Sequence, residues 1–259
     1  MNIYAVNLDR SPERYEEFKA INAPVLAAVV RQSAVDGSTL DTEKLVEHGL
    51  VDRAVLRTYT PGALGYALTH LGLWHHAAER GEDITLCDDD AIFNRYFIEA
   101  SATAVARLQD GWDLILWGWN FDSHLTFELL PNVSFCWSVF DQNAMRQGVS
   151  QFIEQEIDLR FFRLLRAFGT PCYSVSPNGA RLLQQHCFPL RPMPIYSPIL
   201  KQIVPNNGID IMMNQLYSQM RAFVSFPPLV ITKNDHRIST VQTGASLADL
   251  RRARGTVRR

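Results

Sequence analysis

The feature of the 259-residue sequence with the clearest chemical potential is a run of three acids, Asp88, Asp89 and Asp90, directly after an apolar segment. Adjacent carboxylates repel one another, and such a run beside an apolar segment is best tolerated where a cation compensates its charge. Side chains alternate along an extended chain, so Asp88 and Asp90 would face the same side. That spacing suits one Mg²⁺ or Mn²⁺ held against the oxygens of a diphosphate. The alternative is an acidic turn exposed to solvent.

The elements that must position this run are visible as apolar patterns. Buried strands are predicted at residues 3–8, 25–30, 83–87, 113–117 and 171–175, and a last extended segment at residues 225–231. A proline follows each of Ser11, Thr60 and Ser176, which predicts three helix starts. Apolar residues at three- and four-residue spacing from Leu64 predict an amphipathic helix that ends at Gly81. Further helices are predicted at residues 95–108, 153–168 and 209–219, a loop at residues 189–205, and no regular element at residues 125–149.

Alternating strands and helices predict an α/β fold in which a mostly parallel central sheet is covered by helices on both faces. The sequence shows no linker or internal repeat, so we expect one domain over residues 1–245 and a basic C-terminal tail at residues 246–259. Ligands of such sheets bind beyond the carboxyl ends of the strands. The acidic run follows one of these ends.

Composition limits the classes of function. A hydrophobic fraction of 47% excludes disorder for most of the chain, and a net charge of −2 argues against a dedicated nucleic-acid-binding protein. No apolar run approaches the ~20 residues that cross a bilayer, and no signal peptide is visible, which predicts a cytoplasmic protein. The four cysteines lack paired spacing and are expected to be buried thiols. Five arginines in the last nine residues either keep that end solvated or favour peripheral contact with an acidic membrane surface.

Several blocks of the sequence resemble glycosyltransferase family 25, the group of lipooligosaccharide galactosyltransferases and related collagen galactosyltransferases. The resemblance rests on IYAVNLDRSPERY, AVDG, TPGALGYALTHLGLWHHAAERG, CDDDA, GTPCYSVSPNGARLL and GIDIMMNQ, in that order. It spans most of residues 2–220. Asp88 departs conservatively from the family, whose cluster more often reads Glu-Asp-Asp, and residues 125–148 match no block of it.

The resemblance implies a GT-A-like fold, a nucleotide-sugar donor that is most often UDP-galactose, a divalent metal and inversion at the anomeric carbon. It suggests a cytoplasmic enzyme, peripheral at the inner face of the membrane, that extends a lipid-linked cell-envelope oligosaccharide of the lipooligosaccharide type. Two other hypotheses remain open. A nucleotidyltransferase would share the sheet, metal and nucleotide, but residues 7–14 lack the glycine and lysine of its phosphate loop. The other is a catalytically silent module that binds nucleotide sugars.

Roles for individual residues follow from this resemblance. Asp88 and Asp90 would hold the metal, with His236 or Asp235 completing its ligands. Inversion needs a base for the acceptor hydroxyl, and Asp210 is the candidate; the alternative is an ordinary first-turn helix acid. Contacts to the donor nucleotide are expected from Asn7, Asp9, Arg10, Arg14, Asp36, Gly37, Asp89, Arg237 and Ser239. For Arg14, a charge on the helix surface is equally compatible with the sequence.

A second group of residues suggests the acceptor side. Trp117, Trp119 and Phe121 alternate along a predicted strand, so some should fill the core while any exposed ring stacks on a sugar. Asn120 and Asp122 would then bind the sugar's hydroxyls, and the backbone at residues 169–170 would approach either substrate closely. His70, beside Tyr66 on a helix, is expected to be a buried structural histidine rather than a ligand.

Overall fold

The structure is a computed structural model that describes residues 2–197 and 201–233. The predicted contacts of His236, Arg237 and Ser239, and the tail at residues 246–259, lie outside the described residues. The strands are β1 (Asn2–Asn7), β2 (Val29–Ser33), β3 (Ile84–Asp88), β4 (Ala91–Phe93), β5 (Leu114–Gly118), β6 (His124–Leu130), β7 (Ser134–Val139), β8 (Arg160–Arg166), β9 (Cys172–Val175), β10 (Ile195–Ser197), β11 (Gln202–Val204), β12 (Ala222–Phe226) and β13 (Val230–Thr232). The α-helices are α1 (Pro12–Ile21), α2 (Thr42–Glu47), α3 (Pro61–Arg80), α4 (Phe97–Val105), α5 (Gln142–Gln147), α6 (Val149–Glu154), α7 (Pro177–Cys187) and α8 (Ile209–Asn214).

The central sheet of the described residues contains nine strands in the order β2-β1-β3-β9-β5-β12-β8-β6-β7. Followed through their pairings, six of these strands run in the direction of β1, and β7, β8 and β9 run against it. The prediction of a mostly parallel sheet is therefore confirmed in strand direction. The reversed strands make several neighbouring pairs antiparallel. Two short two-stranded sheets, β10-β11 and β4-β13, complete the strand pairing.

Helices cover the sheet on both faces, as predicted. Alternate residues of β5 point to opposite sides, with Leu114 and Leu116 in one apolar cluster and Ile115 and Trp117 in the other. The first cluster contains the buried faces of α3, α7 and α8, and the second contains those of α1 and α4. Apolar packing with helices therefore covers the central strands of the sheet on both faces.

The three proline-marked helix starts are all confirmed. α1, α3 and α7 begin at the prolines that follow Ser11, Thr60 and Ser176. The Thr60 and Ser176 hydroxyls accept first-turn N–H groups, whereas Ser11 makes no side-chain cap. α3 ends where predicted, at Gly81, which adopts a left-handed conformation with φ of 68°.

Two predictions of secondary structure are wrong. The helix predicted over residues 153–168 is instead the end of α6 followed by strand β8, because hydrogen bonding to β6 and β12 on both sides outweighs local helix preference. Leu164 of β8 is fully buried by this pairing. The strand predicted over residues 25–30 begins at Val29 and continues to Ser33, since Ala23–Ala28 form a 3₁₀ helix with Pro24 in its first turn.

Other segments differ in extent. Residues 125–149, for which no element was predicted, form the β6–β7 hairpin and α5. The predicted helix over residues 209–219 ends at Asn214, and a short 3₁₀ turn, Tyr217–Gln219, follows it. The proline-rich loop at residues 189–205 contains the small strands β10 and β11.

Candidate active site

The acidic run begins at Asp88, the last residue of β3, and continues with Asp89 and Asp90 in the two-residue turn before β4, so it is not the fully extended segment assumed from the sequence. Its middle member, Asp89, is already compensated. Arg14 Nε lies 2.9 and 3.0 Å from the two Asp89 carboxylate oxygens, and Arg14 Nη2 binds the same group. Asn7 Nδ2 also donates to Asp89 Oδ2 at 2.7 Å. Arg14 therefore forms a largely buried ion pair, and the carboxylate in turn raises the pKa of its guanidinium.

Burial is the main influence on the outer two acids. Burial and the neighbouring Asp90 raise the pKa of Asp88 well above its usual range, although the Tyr66 hydroxyl donates to Asp88 Oδ1 at 2.9 Å. Burial also raises the pKa of Asp90, and Arg14 offsets this only in part. Both side chains remain partly accessible to solvent. A divalent cation at this position would supply the missing positive charge.

The Asp88 and Asp90 carboxylates suit a cation that also binds the phosphates of a substrate. Within residues 2–197 and 201–233, no three His, Cys, Asp or Glu side chains converge as a metal site. Mg²⁺ in nucleotide sites is commonly held by one or two carboxylates, with substrate phosphates and water supplying the other oxygens. Asp88 and Asp90 match that partial protein shell.

A cavity of about 240 Å³ opens beside the acids, between the carboxyl end of β1 and the start of α3. Its walls include Arg10, Asp36, Gly37, Asp88 and Asp89, so the structure brings these predicted residues together. Arg10 Nε contacts Asp36 Oδ2 at 2.7 Å, and the Ser38 hydroxyl and N–H groups together with Arg10 lower the pKa of Asp36. The cavity thus has mixed apolar and charged walls.

Gly37 and Gly65 allow the wall of this cavity to form. A Cβ atom on Gly37 would lie 1.6 Å from the Pro61 carbonyl oxygen, and one on Gly65 would lie 2.3 Å from the Val35 carbonyl oxygen. The segment at residues 35–37 therefore rests directly on the first turns of α3. This backbone contact places the walls of the cavity against each other.

The polar residues at the end of β1 form a network beneath the cavity. Asn7 Oδ1 accepts from Arg31 Nε and Nη2 at 3.0 and 2.7 Å, and Arg31 Nη2 also contacts Asp9 Oδ1 at 2.8 Å. Asp9 in addition accepts from the Ser33 hydroxyl at 2.6 Å, and these contacts lower the pKa of Asp9. Asn7 and Asp9 thus lie near the cavity, and their side chains are bonded to other protein groups.

Arg31 and Tyr66 are participants that the sequence did not reveal. Arg31 lies one residue beyond the strand predicted at residues 25–30, and only the parallel register that pairs it with Ala5 brings it to Asn7. Tyr66 was noted merely as a neighbour of His70. Its hydroxyl contacts both Asp88 and, at 3.2 Å, Thr170 Oγ1. Correct bounds for β2 would have exposed Arg31, whereas the Tyr66 contact has no sequence signal.

Asp210 lies in the first turn of α8, and its Oδ2 accepts the Gly169 N–H at 3.0 Å. Its carboxylate also accepts first-turn N–H groups, yet burial raises its pKa overall. Both proposed roles are therefore compatible with its position. A short path links it to the acids: Thr170 follows Gly169 and contacts Tyr66, while the Asp88 N–H donates to the Pro171 carbonyl at 3.0 Å.

Some of the predicted acceptor residues are buried in the core, and others lie near Asp210 or on the surface. Trp117 and Trp119 are fully buried in opposite clusters, so neither can stack on a sugar. Phe121 is partly exposed and stacks on Trp119. Asn120 packs so closely on Gly169, which has a φ of 73°, that a Cβ there would clash with it. Asn120 thus lies beside the backbone group that binds Asp210, and Asp122 is exposed.

His70 is buried, as expected of a structural histidine. Its Nδ1 lies 2.9 Å from the Tyr173 hydroxyl, to which Trp74 Nε1 donates at 2.7 Å. Burial lowers the pKa of His70 to about 3. Cys87, Cys172 and Cys187 are buried free thiols, as predicted, and Cys136 is half-buried.

Comparison with known proteins decides the family. The sequence model of glycosyltransferase family 25, described as an LPS biosynthesis protein family, matches residues 1–196. The chain belongs to glycosyltransferase family 25. A family 25 member from Aedes aegypti is 32% identical over 126 residues, covering 45% of this chain and 21% of that relative. One from Drosophila melanogaster is 30% identical over 125 residues, covering 45% and 20%. The matches thus span about a fifth of each relative's length.

One solved structure aligns with the chain only weakly. The inositol-1-phosphate CTP transferase from T. maritima aligns at a TM-score of 0.35 and 10% identity, covering 93% of this chain and 74% of that one. The described residues also contain no helix that is both long and apolar enough to span a membrane.

Proposed function

We propose that this chain is a metal-dependent inverting glycosyltransferase of GT-A type, which transfers a hexose, with galactose as the first candidate, from a UDP-sugar to a cell-envelope glycan. The observation that carries the proposal is the cavity at the ends of β1 and β3, which has Asp88 and Asp89 in its wall and Asp90 next to them in the chain. Membership of family 25 supports sugar transfer as the reaction.

The donor nucleotide would occupy this cavity. Arg10, Asp36 and Gly37 line the cavity and would enclose the uridine. Asp88 and Asp90 would hold Mn²⁺ or Mg²⁺, which would neutralise charge on the departing diphosphate. The Arg14–Asp89 pair and Asn7 would keep the turn that carries these carboxylates in place.

Asp210 would act as the base. As the acceptor oxygen attacks the anomeric carbon and the bond to UDP breaks, the hydroxyl proton passes to the Asp210 carboxylate. The raised pKa of Asp210 favours proton uptake, and Asn120 would bind the acceptor beside Gly169. The acceptor would be lipid-linked at the cytoplasmic face of the membrane, with the basic tail assisting that contact.

Replacing Asp210 by Asn separates the two roles proposed for it. We expect Asp210→Asn to abolish turnover, with a fall of at least ~100-fold, while UDP affinity stays nearly unchanged. Asp141, an N-cap of α5 whose carboxylate accepts two N–H groups, provides the control. Asp141→Asn should alter stability alone. Full turnover in Asp210→Asn would remove this residue from the mechanism.

The decisive assay incubates the purified protein with a panel of UDP-hexoses and scores the UDP released, with and without Mn²⁺. Release of UDP with one hexose in the presence of metal supports the proposal. Pyrophosphate formation from UTP and a sugar phosphate would point to a nucleotidyltransferase instead. Binding of a UDP-sugar without any product would leave a silent binding module.

A further inference from the structure

The two edges of the nine-stranded sheet differ in how well they are protected against pairing with further strands. β2 forms one edge, and its Arg31 is bound to Asn7 and Asp9. β7 forms the other, with the sequence SFCWSV, which contains neither a charged residue nor a proline. Soluble proteins usually place charges, prolines or bulges on an edge strand, because its free N–H and C=O groups recruit other strands. β7 lacks the charge that β2 has.

One side of β7 is an exposed apolar row. Phe135, Trp137 and Val139 alternate along the strand and are 55%, 51% and 75% exposed, and the two aromatic rings lie 5.6 Å apart. Cys136 packs against the core from the other side of the strand. The row is therefore presented by an anchored hairpin whose partner strand β6 buries Leu125 and Phe127.

The charge around this row restricts what can cover it. In the whole hairpin, residues 124–139, the one formally charged group is Glu128, and its Oε1 accepts the Asn132 N–H at 2.7 Å. The hairpin itself holds no Lys or Arg that would attract an acidic lipid surface or an acidic partner, and Arg163 and Arg166 of the adjoining strand β8 donate to the Met220 and Tyr196 carbonyls. An uncharged strand that presents the same apolar row matches it best, and a second copy of this chain provides one.

We propose that two copies of this chain associate through antiparallel pairing of their β7 strands about a two-fold axis. An arrangement centred on Trp137 places the two Trp137 rings together, and Phe135 of each copy beside Val139 of the other. Such cross-strand aromatic and β-branched pairs stabilise antiparallel ladders. A two-fold axis uses the same surface twice, and the two sheets become one continuous sheet. This inference does not depend on the proposed enzymatic activity.

Light scattering after size exclusion, over a roughly hundredfold range of concentration, tests the proposal because dimers form by mass action. We expect the full chain to reach twice its 29.4 kDa mass at high concentration. Trp137→Lys should remain monomeric over the same range. The matched control is Val30→Lys, at a 48% exposed position on the opposite edge β2, which should dimerise like the original chain.

Hydrogen exchange provides an independent readout that needs no variant. Amides of residues 134–139 should gain protection as concentration rises, while those of residues 29–33 should not change. A chain that stays monomeric throughout, or a dimer that persists in folded Trp137→Lys, would overturn the proposal. So would a monomer that binds neutral or acidic vesicles through β7, because the row would then contact lipid.

Discussion

At the scale of single residues, the site depends on an unequal distribution of positive charge over three neighbouring acids. Arg14 binds Asp89 closely, and Asp88 and Asp90 retain raised pKa values. The sequence alone left Arg14 divided between a diphosphate contact and a surface charge. Its side chain is 15% exposed and paired with Asp89, so the surface alternative is wrong, and a diphosphate contact remains a proposal.

Breaking this ion pair should reduce stability. In Arg14→Gln, Asp89 loses its cationic partner while staying 11% exposed, and we expect the free energy of unfolding in urea to fall by about 3 kcal/mol. Arg10→Gln is the control, because its contact with Asp36 is exposed and surface pairs contribute less than about 1 kcal/mol. Equal, small losses in the two variants would show that the Arg14 pair is not structural.

Tyr66 should orient Asp88 for metal binding. Tyr66→Phe removes the hydroxyl that donates to Asp88 Oδ1, and loss of such a supporting contact lowers metal affinity by about tenfold or more. Electron paramagnetic resonance of free Mn²⁺ in the presence of UDP measures this affinity. Tyr4→Phe, which removes a hydroxyl bound to His76, should have no effect. Unchanged Mn²⁺ affinity in Tyr66→Phe would assign the hydroxyl no role in the site.

The acidic run was predictable because adjacent like charges are unusual whatever the fold. The contacts of Tyr66 were not, since they join residues separated by 22 and 104 positions and depend on how α3 lies over the sheet. Asp36 and Gly37 were placed beside the donor through the family resemblance, and the structure puts both in the cavity wall.

At the scale of elements, the donor cavity exists because the 35–37 segment and α3 approach through glycine. The sequence presents AVDG and TPGALGY as two blocks separated by more than twenty residues, and nothing in either block shows that they touch. The incorrect prediction of a helix at residues 153–168 has a similar cause. The apolar spacing of these residues suits both a helix and a strand, and pairing with two neighbouring strands decides the outcome.

Two glycines of α3 allow a matched test of the close contact between the 35–37 segment and α3. Gly65→Ala forces a Cβ onto the Val35 carbonyl, and we expect a loss of about 2 kcal/mol in the free energy of unfolding together with weaker UDP binding. Gly72→Ala, in the same helix with open space around it, should raise stability by about 0.5 kcal/mol. Chemical denaturation followed by circular dichroism compares them. A harmless Gly65→Ala would refute the close contact.

At the scale of the whole molecule, one sheet carries the proposed chemistry at its strand ends and a proposed interface at its edge. The cavity lies at the ends of β1 and β3, and the residues that lead into β9 connect it to Asp210. The alternation of elements was sufficient to predict helices on both faces. It could not predict the reversed strand β7, because the hairpin at residues 124–139 has no clear period in the sequence. It also missed β8, because a helix was predicted over residues 153–168.

The proposed chemistry requires that Asp88 and Asp90 bind a divalent cation together with a nucleotide diphosphate. Calorimetric titration of UDP into the full chain, with and without Mn²⁺, tests it most directly. We predict at least ~10-fold tighter UDP binding with Mn²⁺ than without, and no such difference in Asp88→Asn or Asp90→Asn. UDP affinity that ignores Mn²⁺, or a Mn²⁺ effect that survives both substitutions, would contradict the account.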